Sequence, residues 1–508
     1  MTGKRAAGEK CGVRADLPER GILVLYLGLF AATALLLAWF QPLQPTSPML
    51  VNPPDEFTRI VIPRYICDHG TLPTGFEPEV QIAGYGGSYA FFPYLPYIFM
   101  GWAMRLTSLF TGQEAALTMA ARCVNVASGL LMAVTVYFLS RRVFQDRAVR
   151  WAFCYIVMFW PEQLFVHTYV NTESMSLLST AMILLALVAV YQEGPEIRHS
   201  VLLAAGLVLC LLTYYNAYGY VLAAVVLFVG SFLYPVRHPL QHPGEKCQSM
   251  FSPVSGQGRE QSQNTFENGI SVPSSDAGGA AGKGLVCDRS LLLRRGFLVL
   301  ALVLAGAGWW FVRSAVLFHG DLFGLATMRK VREPLQGIFP PTYRAQGKSI
   351  PEMFRETGLF SQMLKSFIAS YGANSIFAGP GLYFYDRCFL FGGAALAVVF
   401  GAAGERRRSG RRRFFHAVVI AAALSVWALW LWYSYAMDFQ PQGRYLLASI
   451  LPLFYYMTAG WMHLADALRI RGRLRTALAA MAAAAAVFWE LRFVLGTVLP
   501  LCVSIYVA

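Results

Sequence analysis

The sequence predicts an all-α, polytopic membrane protein, a bundle of about eleven transmembrane helices with two large segments on the outer face. Three observations carry that prediction. Of the 508 residues, 56% are hydrophobic and only 14% charged, and the mean hydropathy is +0.47, which is more apolar surface than a soluble fold can cover. The apolar residues fall in runs of about 20, the length of helix that crosses a hydrocarbon core. The net charge of +14 collects in short loops between those runs, which is the positive-inside pattern and not the footprint of a nucleic-acid binder. Nine cysteines stand singly, with no CxxC and no Cys/His ligand spacing, so neither a structural zinc nor a disulfide framework is expected.

The elements follow in order. Residues 1–21 are polar and hold Lys4, Arg5, Lys10, Arg14 and Arg20, an expected cytoplasmic N-terminus, and 22–40 is read as a retained first span, not a cleaved signal. Residues 22–235 form an N-terminal transmembrane module whose outer loop is 41–113. Within that loop Pro93-Tyr94-Leu95-Pro96-Tyr97 predicts a helix lying in the interface. Spans follow at 118–139, 148–167 and 174–191, with the outer corner Thr168–Glu173 between the last two. The run 201–234 is too long for one helix, and Tyr214-Tyr215-Asn216-Ala217-Tyr218-Gly219 supplies a turn, giving two. That count also keeps Arg406–Arg408 and Arg411–Arg413 inside. Residues 236–292, rich in Gly, Ser, Pro and Gln, predict a disordered cytoplasmic loop. The C-terminal module, 293–508, has spans at 297–318, 389–403, 416–435, 445–464 and 476–495, with 318–388 outside.

Three clusters can carry chemistry. Asp55-Glu56 follows Pro53-Pro54 and precedes Arg59 and Arg64: a carboxylate takes a proton from an attacking hydroxyl, and arginine neutralises a phosphate leaving group. The plainer alternative is a helix N-cap in a solvated loop. Trp309-Trp310-Phe311-Val312-Arg313, followed by His319-Gly320-Asp321, is either a headgroup contact or a snorkelling anchor. In Asp438–Leu446, Arg444 lies near a helix N-terminus, where the dipole disfavours a cation unless an anion stands beside it; again a snorkelling arginine is the alternative. Arg122, Asn125, Glu162, His167, Asn171 and Glu173 add polar groups at the same helix ends, each readable as capping or interhelical hydrogen bonding.

The order of these residues resembles the GT-C superfamily of polytopic glycosyltransferases, in the group of protein O-mannosyltransferases and aminoarabinose transferases. The likeness rests on the first span, Asp55-Glu56, the turn His69-Gly70-Thr71-Leu72-Pro73 and the Tyr/Pro-rich interfacial helix. It is nearer to a bacterial branch of membrane proteins with Trp-Trp-x-x-Arg, Gly-Asp and Gln-Gly-Arg-Tyr-Leu, here Trp309–Arg313, Gly320-Asp321 and Gln442–Leu446. It departs at Ser314, at the spacing before Gly320, at Arg59 where relatives carry His, and at Glu173 where Asp is usual. The resemblance implies a GT-C-like bundle and an inverting sugar transfer from a polyprenyl-phosphate-linked donor to a glycan, lipid or protein acceptor, on the outer face of a bacterial inner membrane. Asp55 would be the base, with Glu56 orienting it or binding substrate. Arg59, Arg64, Arg313 and Arg444 would meet the donor phosphate, and His167, Asn171, Glu173, Asp321, Gln442 and Tyr445 would contact substrate.

No cofactor and no obligatory metal are expected, although Asp55, Glu56 and Glu173 together have the chemistry to hold a divalent ion. The rival readings are a transporter or flippase of lipid-linked glycans and a polymerase or ligase on the same carrier. A transporter places ionisable groups near the midplane and shows repeated halves, whereas these charges gather at one face. A non-enzymatic scaffold is the third alternative.

Overall fold

A computed structural model describes residues 17–42, 51–82, 86–233, 289–335, 341–405 and 410–507. The N-terminal basic cluster before Leu17, most of the expected 236–292 loop and Arg406–Arg408 lie outside the described residues. The fold is all-α, with one antiparallel pair of two-residue strands, β1 (Ser370–Tyr371) and β2 (Ile376–Phe377), among the described residues.

In chain order the helices are α1 (Leu17–Phe40), α2 (Glu56–Arg59), α3 (Val61–His69), α4 (Leu95–Ser108), α5 (Glu114–Val143), α6 (Arg147–Met158), α7 (Pro161–Val166), α8 (Glu173–Glu193), α9 (Ile197–Leu211) and α10 (Tyr218–Leu233). They continue with α11 (Arg289–Leu317), α12 (Leu325–Arg332), α13 (Ile350–Thr357), α14 (Leu359–Ile368), α15 (Pro380–Arg387), α16 (Gly393–Glu405), α17 (Gly410–Ala436), α18 (Ile450–Ala467), α19 (Gly472–Phe493) and α20 (Leu499–Val507).

Nine of the described helical stretches are long and apolar enough to cross a membrane, and the chain is a multi-pass membrane protein. The expected eleven differ from these nine at two places. The run 201–234 does break in two, but α9 has only 15 residues, about 22 Å at 1.5 Å per residue, short of the usual span. The expected span 148–167 is interrupted instead of continuous: α6 stops at Met158, Trp160 is extended at φ −67, ψ 123, and α7 restarts on Pro161. Proline has no N–H to give the preceding turn and pushes the residue before it out of the helical region.

Burial orders the bundle. In α8, 94% of the apolar window is buried, against 6% in α11, so α8 is the central column and α11 a peripheral helix. Val24, Trp39, Leu293, Phe297, Leu424, Trp432, Leu478 and Met481 stay exposed, as a bilayer solvent permits. In lipid, close packing substitutes for a hydrophobic drive between helices and favours small residues at crossings: a Cβ on Gly460 would meet the Gly393 carbonyl oxygen at 2.5 Å, so α16 and α18 touch backbone to backbone. The helix expected around Pro93–Tyr97 is realised as α4, which buries Met100 and Met104 and exposes Phe99, Trp102 and Leu106.

The charged residues sort to opposite helix ends. Arg142 pairs with Glu193 at 2.8 Å and Arg475 with Asp146 at 3.2 Å and Asp466 at 2.6 Å. At the other end of α8, Glu173 meets Arg59 and Arg444 meets Asp55.

Candidate active site

The turn before α2 sets the geometry. After Pro53-Pro54, Asp55 takes the left-handed conformation at φ 60, ψ 4, and its carboxylate makes no cap to the helix it precedes. Asp is one of the few side chains that tolerates this backbone region, and strained positions gather at functional sites. Released from capping, the carboxylate accepts from Arg444 at 2.7 Å and lies 3.5 Å from Arg59. Its side chain is 40% exposed, while those of Arg59 and Arg444 are 5% and 1% exposed. Asp55 is therefore the open face of an otherwise buried charge cluster.

Arg59 donates to Glu173 at 2.6 Å and sits over the Tyr89 ring at 5.2 Å. Glu173 opens α8, where the helix dipole favours a carboxylate. Arg444 donates also to the Tyr169 hydroxyl at 3.1 Å and the Tyr445 hydroxyl at 3.2 Å. Three buried atoms remain without partners: Nε of Arg59, Nε of Arg444 and Oε1 of Glu173. The anion that the position of Arg444 demands is Asp55 itself. Burial alone would raise the Asp55 carboxyl, but the Arg444 and Arg59 charges and the Arg444 hydrogen bond outweigh it and hold the group below its ordinary value.

The structure divides the expected site residues. Asp55, Arg59, Glu173, Arg444 and Tyr445 come together. Glu56 points the other way, taking the Arg122 guanidinium at 2.9 and 2.5 Å and the Val170 N–H at 2.8 Å. Because Arg122 also holds the carbonyls of Ala38, Gln41 and Pro42, Glu56 is tied to the end of α1 and does not face Asp55. Arg64 pairs with Glu114 at the surface. Arg313 donates to the Pro73 carbonyl at 2.6 Å and lies over Trp310 at 5.3 Å, binding α11 to the 69–73 turn.

His167 is buried between Gln163 at 2.9 Å and Ser174 at 2.6 Å, in contact with Phe30. Asn171 donates to Val166 and Tyr169 and accepts from the Ser174 N–H, a local cap for α8. Asp321 accepts from Thr327 at 2.7 and 3.0 Å. In Gln442 the side-chain oxygen is buried without a partner. The three carboxylates weighed as metal ligands each face an arginine, and among the described residues no group of three His, Cys, Asp or Glu side chains forms a ligand set.

Tyr169, Tyr89 and Tyr214 are part of the site without having been singled out for it. Tyr169 lies in the corner before Glu173 and Tyr214 in the turn between α9 and α10; both segments stand out in the sequence, but only as connections.

No protein-family model matches the sequence, and no curated protein does. Among solved structures, the chain is similar to ArnT from Cupriavidus metallidurans bound to undecaprenyl phosphate, at 14% identity and a TM-score of 0.47, over 95% of this chain and 74% of that one. It is similar to the oligosaccharyltransferase of Archaeoglobus fulgidus in complex with Zn and sulfate, at 16% identity and a TM-score of 0.44, over 92% of this chain and 52% of that one. The same archaeal enzyme tethered with an acceptor peptide gives 15% identity and a TM-score of 0.43, over 92% and 55%. The chain thus spans about half the length of the archaeal enzyme. With every score below 0.5, the functional reading rests on the chain's own residues.

Proposed function

We propose that this protein is a GT-C-type membrane glycosyltransferase that moves a sugar from a polyprenyl-phosphate-linked donor to an acceptor at the outer face, with inversion. The single observation that supports it is one partly exposed carboxylate, Asp55, set between two buried guanidinium groups at the end of a helix bundle. The acceptor hydroxyl gives its proton to Asp55 as its oxygen bonds to the anomeric carbon. The bond from that carbon to the phosphate oxygen breaks, and the electron pair leaves on the phosphate. Arg444 and Arg59 stabilise the phosphate charge, and the arriving phosphate competes with Asp55 for Arg444, which frees the base. Glu173 holds Arg59 in place, Glu56 and Arg122 hold the α2 turn, and the transfer calls for no metal.

The test is transfer from a panel of undecaprenyl-phosphate monosaccharides by purified protein in nanodiscs. Asp55→Asn lowers turnover by about 10²–10⁴-fold, the usual worth of a positioned base; unchanged turnover removes Asp55 from the mechanism. The pH profile adds a sign. A carboxyl whose pKa is depressed stays ionised as pH falls, so kcat/KM in the wild type holds down through the ordinary aspartate range and is lost only below it. In Arg444→Gln the acid limb moves up in pH, because the largest lowering influence is gone.

A further inference from the structure

Beside the charge cluster stands a run of half-buried tyrosines. The Tyr445 ring lies 5.1 Å from the Arg444 guanidinium. Tyr214 lies 6.5 Å beyond it with ring planes 27° apart, and Tyr215 a further 5.7 Å with planes 21° apart. Phe92 closes the far end, edge-on to Tyr215 at 5.6 Å. The run is anchored: Asn216 donates to the Tyr445 carbonyl at 2.5 Å, and the Leu95 N–H donates to Leu212 at 3.0 Å. Tyr89 stands over Arg59. Among the described residues, the hydroxyls of Tyr89, Tyr214 and Tyr215 have no hydrogen-bond partner, and each of these side chains is half-buried.

Near-parallel, partly open aromatic faces with unused hydroxyls suit a pyranose ring. Its axial C–H groups stack on the ring face, and its rim hydroxyls take up polar groups that an apolar guest would leave unpaired. An aliphatic prenyl chain has no use for those hydroxyls. The spacing is the second observation: each step along the run is of the order of one monosaccharide, and the run extends two steps past the ring nearest Arg444.

We infer that Tyr445, Tyr214 and Tyr215 form a saccharide subsite that holds at least one sugar ring beyond the ring joined to the phosphate. One substrate is then an oligosaccharide, either the lipid-linked donor or the acceptor. The register along the run rests on the proposed placement of the donor phosphate at Arg444; the binding of sugar by the tyrosines does not.

The test is binding without turnover, by saturation-transfer NMR on the full chain in nanodiscs with N,N′-diacetylchitobiose, maltose and cellobiose. At least one disaccharide receives saturation from the wild type, Tyr214→Ala weakens it about tenfold, the worth of one stacking contact, and Gly296→Ala, with nothing within 4 Å of the added carbon on α11, leaves it unchanged. Should Tyr214→Ala fail to fold, Tyr214→Phe and Tyr215→Phe keep the stack, remove the hydroxyls and give a smaller loss. Absence of saturation from all three disaccharides, or saturation indifferent to Tyr214 and Tyr215, overturns the inference. Farnesyl-phosphate-linked N-acetylglucosamine and chitobiose separate the sources. Tighter binding of the chitobiose form that disappears in Tyr214→Ala assigns the subsite to the donor. Equal binding of both forms, with free disaccharide bound alongside, assigns it to the acceptor. If turnover is indifferent to Asp55 while the disaccharide result holds, the transferase reading fails and the subsite stands.

Discussion

Asp55 and Glu56 are neighbours with opposite fates. The left-handed turn at Asp55 leaves its side chain outside the helix, while Glu56, the first helical residue, points inward to Arg122, whose side chain is 0% exposed against 8% for Glu56. An ion pair that deep contributes little over an apolar pair, but removing one partner strands a buried charge at a cost of about 3–5 kcal/mol. Glu56→Gln is therefore expected to destabilise the protein by that order. The double variant Glu56→Leu with Arg122→Met should melt above Arg122→Met alone, because it strands no charge. Thermal unfolding in detergent reads both, and a Glu56→Gln protein that melts with the wild type would show that Arg122 finds its partners elsewhere.

At the scale of elements, the site exists where the ends of α2, α8 and the Gly443–Ser449 segment meet, and Gly443 sets how closely they meet. Its N–H donates to Ser366 at 3.0 Å, and a Cβ there would stand 2.2 Å from the backbone nitrogen and 2.4 Å from the Cα of Phe367. Backbone cannot swing aside as a side chain can, so Gly443→Ala displaces Arg444 from Asp55. Overpacking of this kind costs about 1–3 kcal/mol, and transfer activity falls further than stability, since positioning is lost. Gly296→Ala, with nothing within 4 Å of the added carbon on α11, is the control and keeps both. A Gly443→Ala enzyme with wild-type turnover would mean that Arg444 is not held by this contact.

The same elements explain what was legible beforehand. The helices follow from apolar runs, the α9–α10 break from the polar Tyr-Tyr-Asn turn, and the common face of Asp55, Glu173 and Arg444 from where the basic loops lie. The pairing of Arg444 with Asp55 joins residues 389 apart in sequence, and no local pattern encodes it. Arg64 and Arg313 were equally plausible phosphate ligands by residue type and depth. What separates them is a partner, Glu114 for one and the Pro73 carbonyl for the other, visible only once the helices are packed. The break at Pro161 was readable from the proline; the apolar run on both sides of it masked the signal.

For the whole molecule, the charged ends of the bundle make the remaining prediction. One end carries Arg142, Arg198, Arg411 and Arg475, and the other carries the Asp55 cluster and the segment in which the Arg344 N–H donates to the Tyr435 carbonyl at 3.1 Å. We propose that the arginine-rich end is the cytoplasmic one, because translocating clustered cations is disfavoured, which would put Asp55 outside. Single cysteines at two exposed positions, Arg198→Cys and Ala345→Cys, in a background with the native cysteines replaced, test this with a membrane-impermeant maleimide. Ala345→Cys should react in intact cells stripped of their wall, and Arg198→Cys only after permeabilisation. If α9, α10 and α11 all cross, an odd number of spans separates those positions, so labelling of both from one side would mean that α9 and α10 do not cross as a pair. The reverse pattern would place the carboxylate and its arginines on the cytoplasmic side, where an outer-face acceptor never meets them.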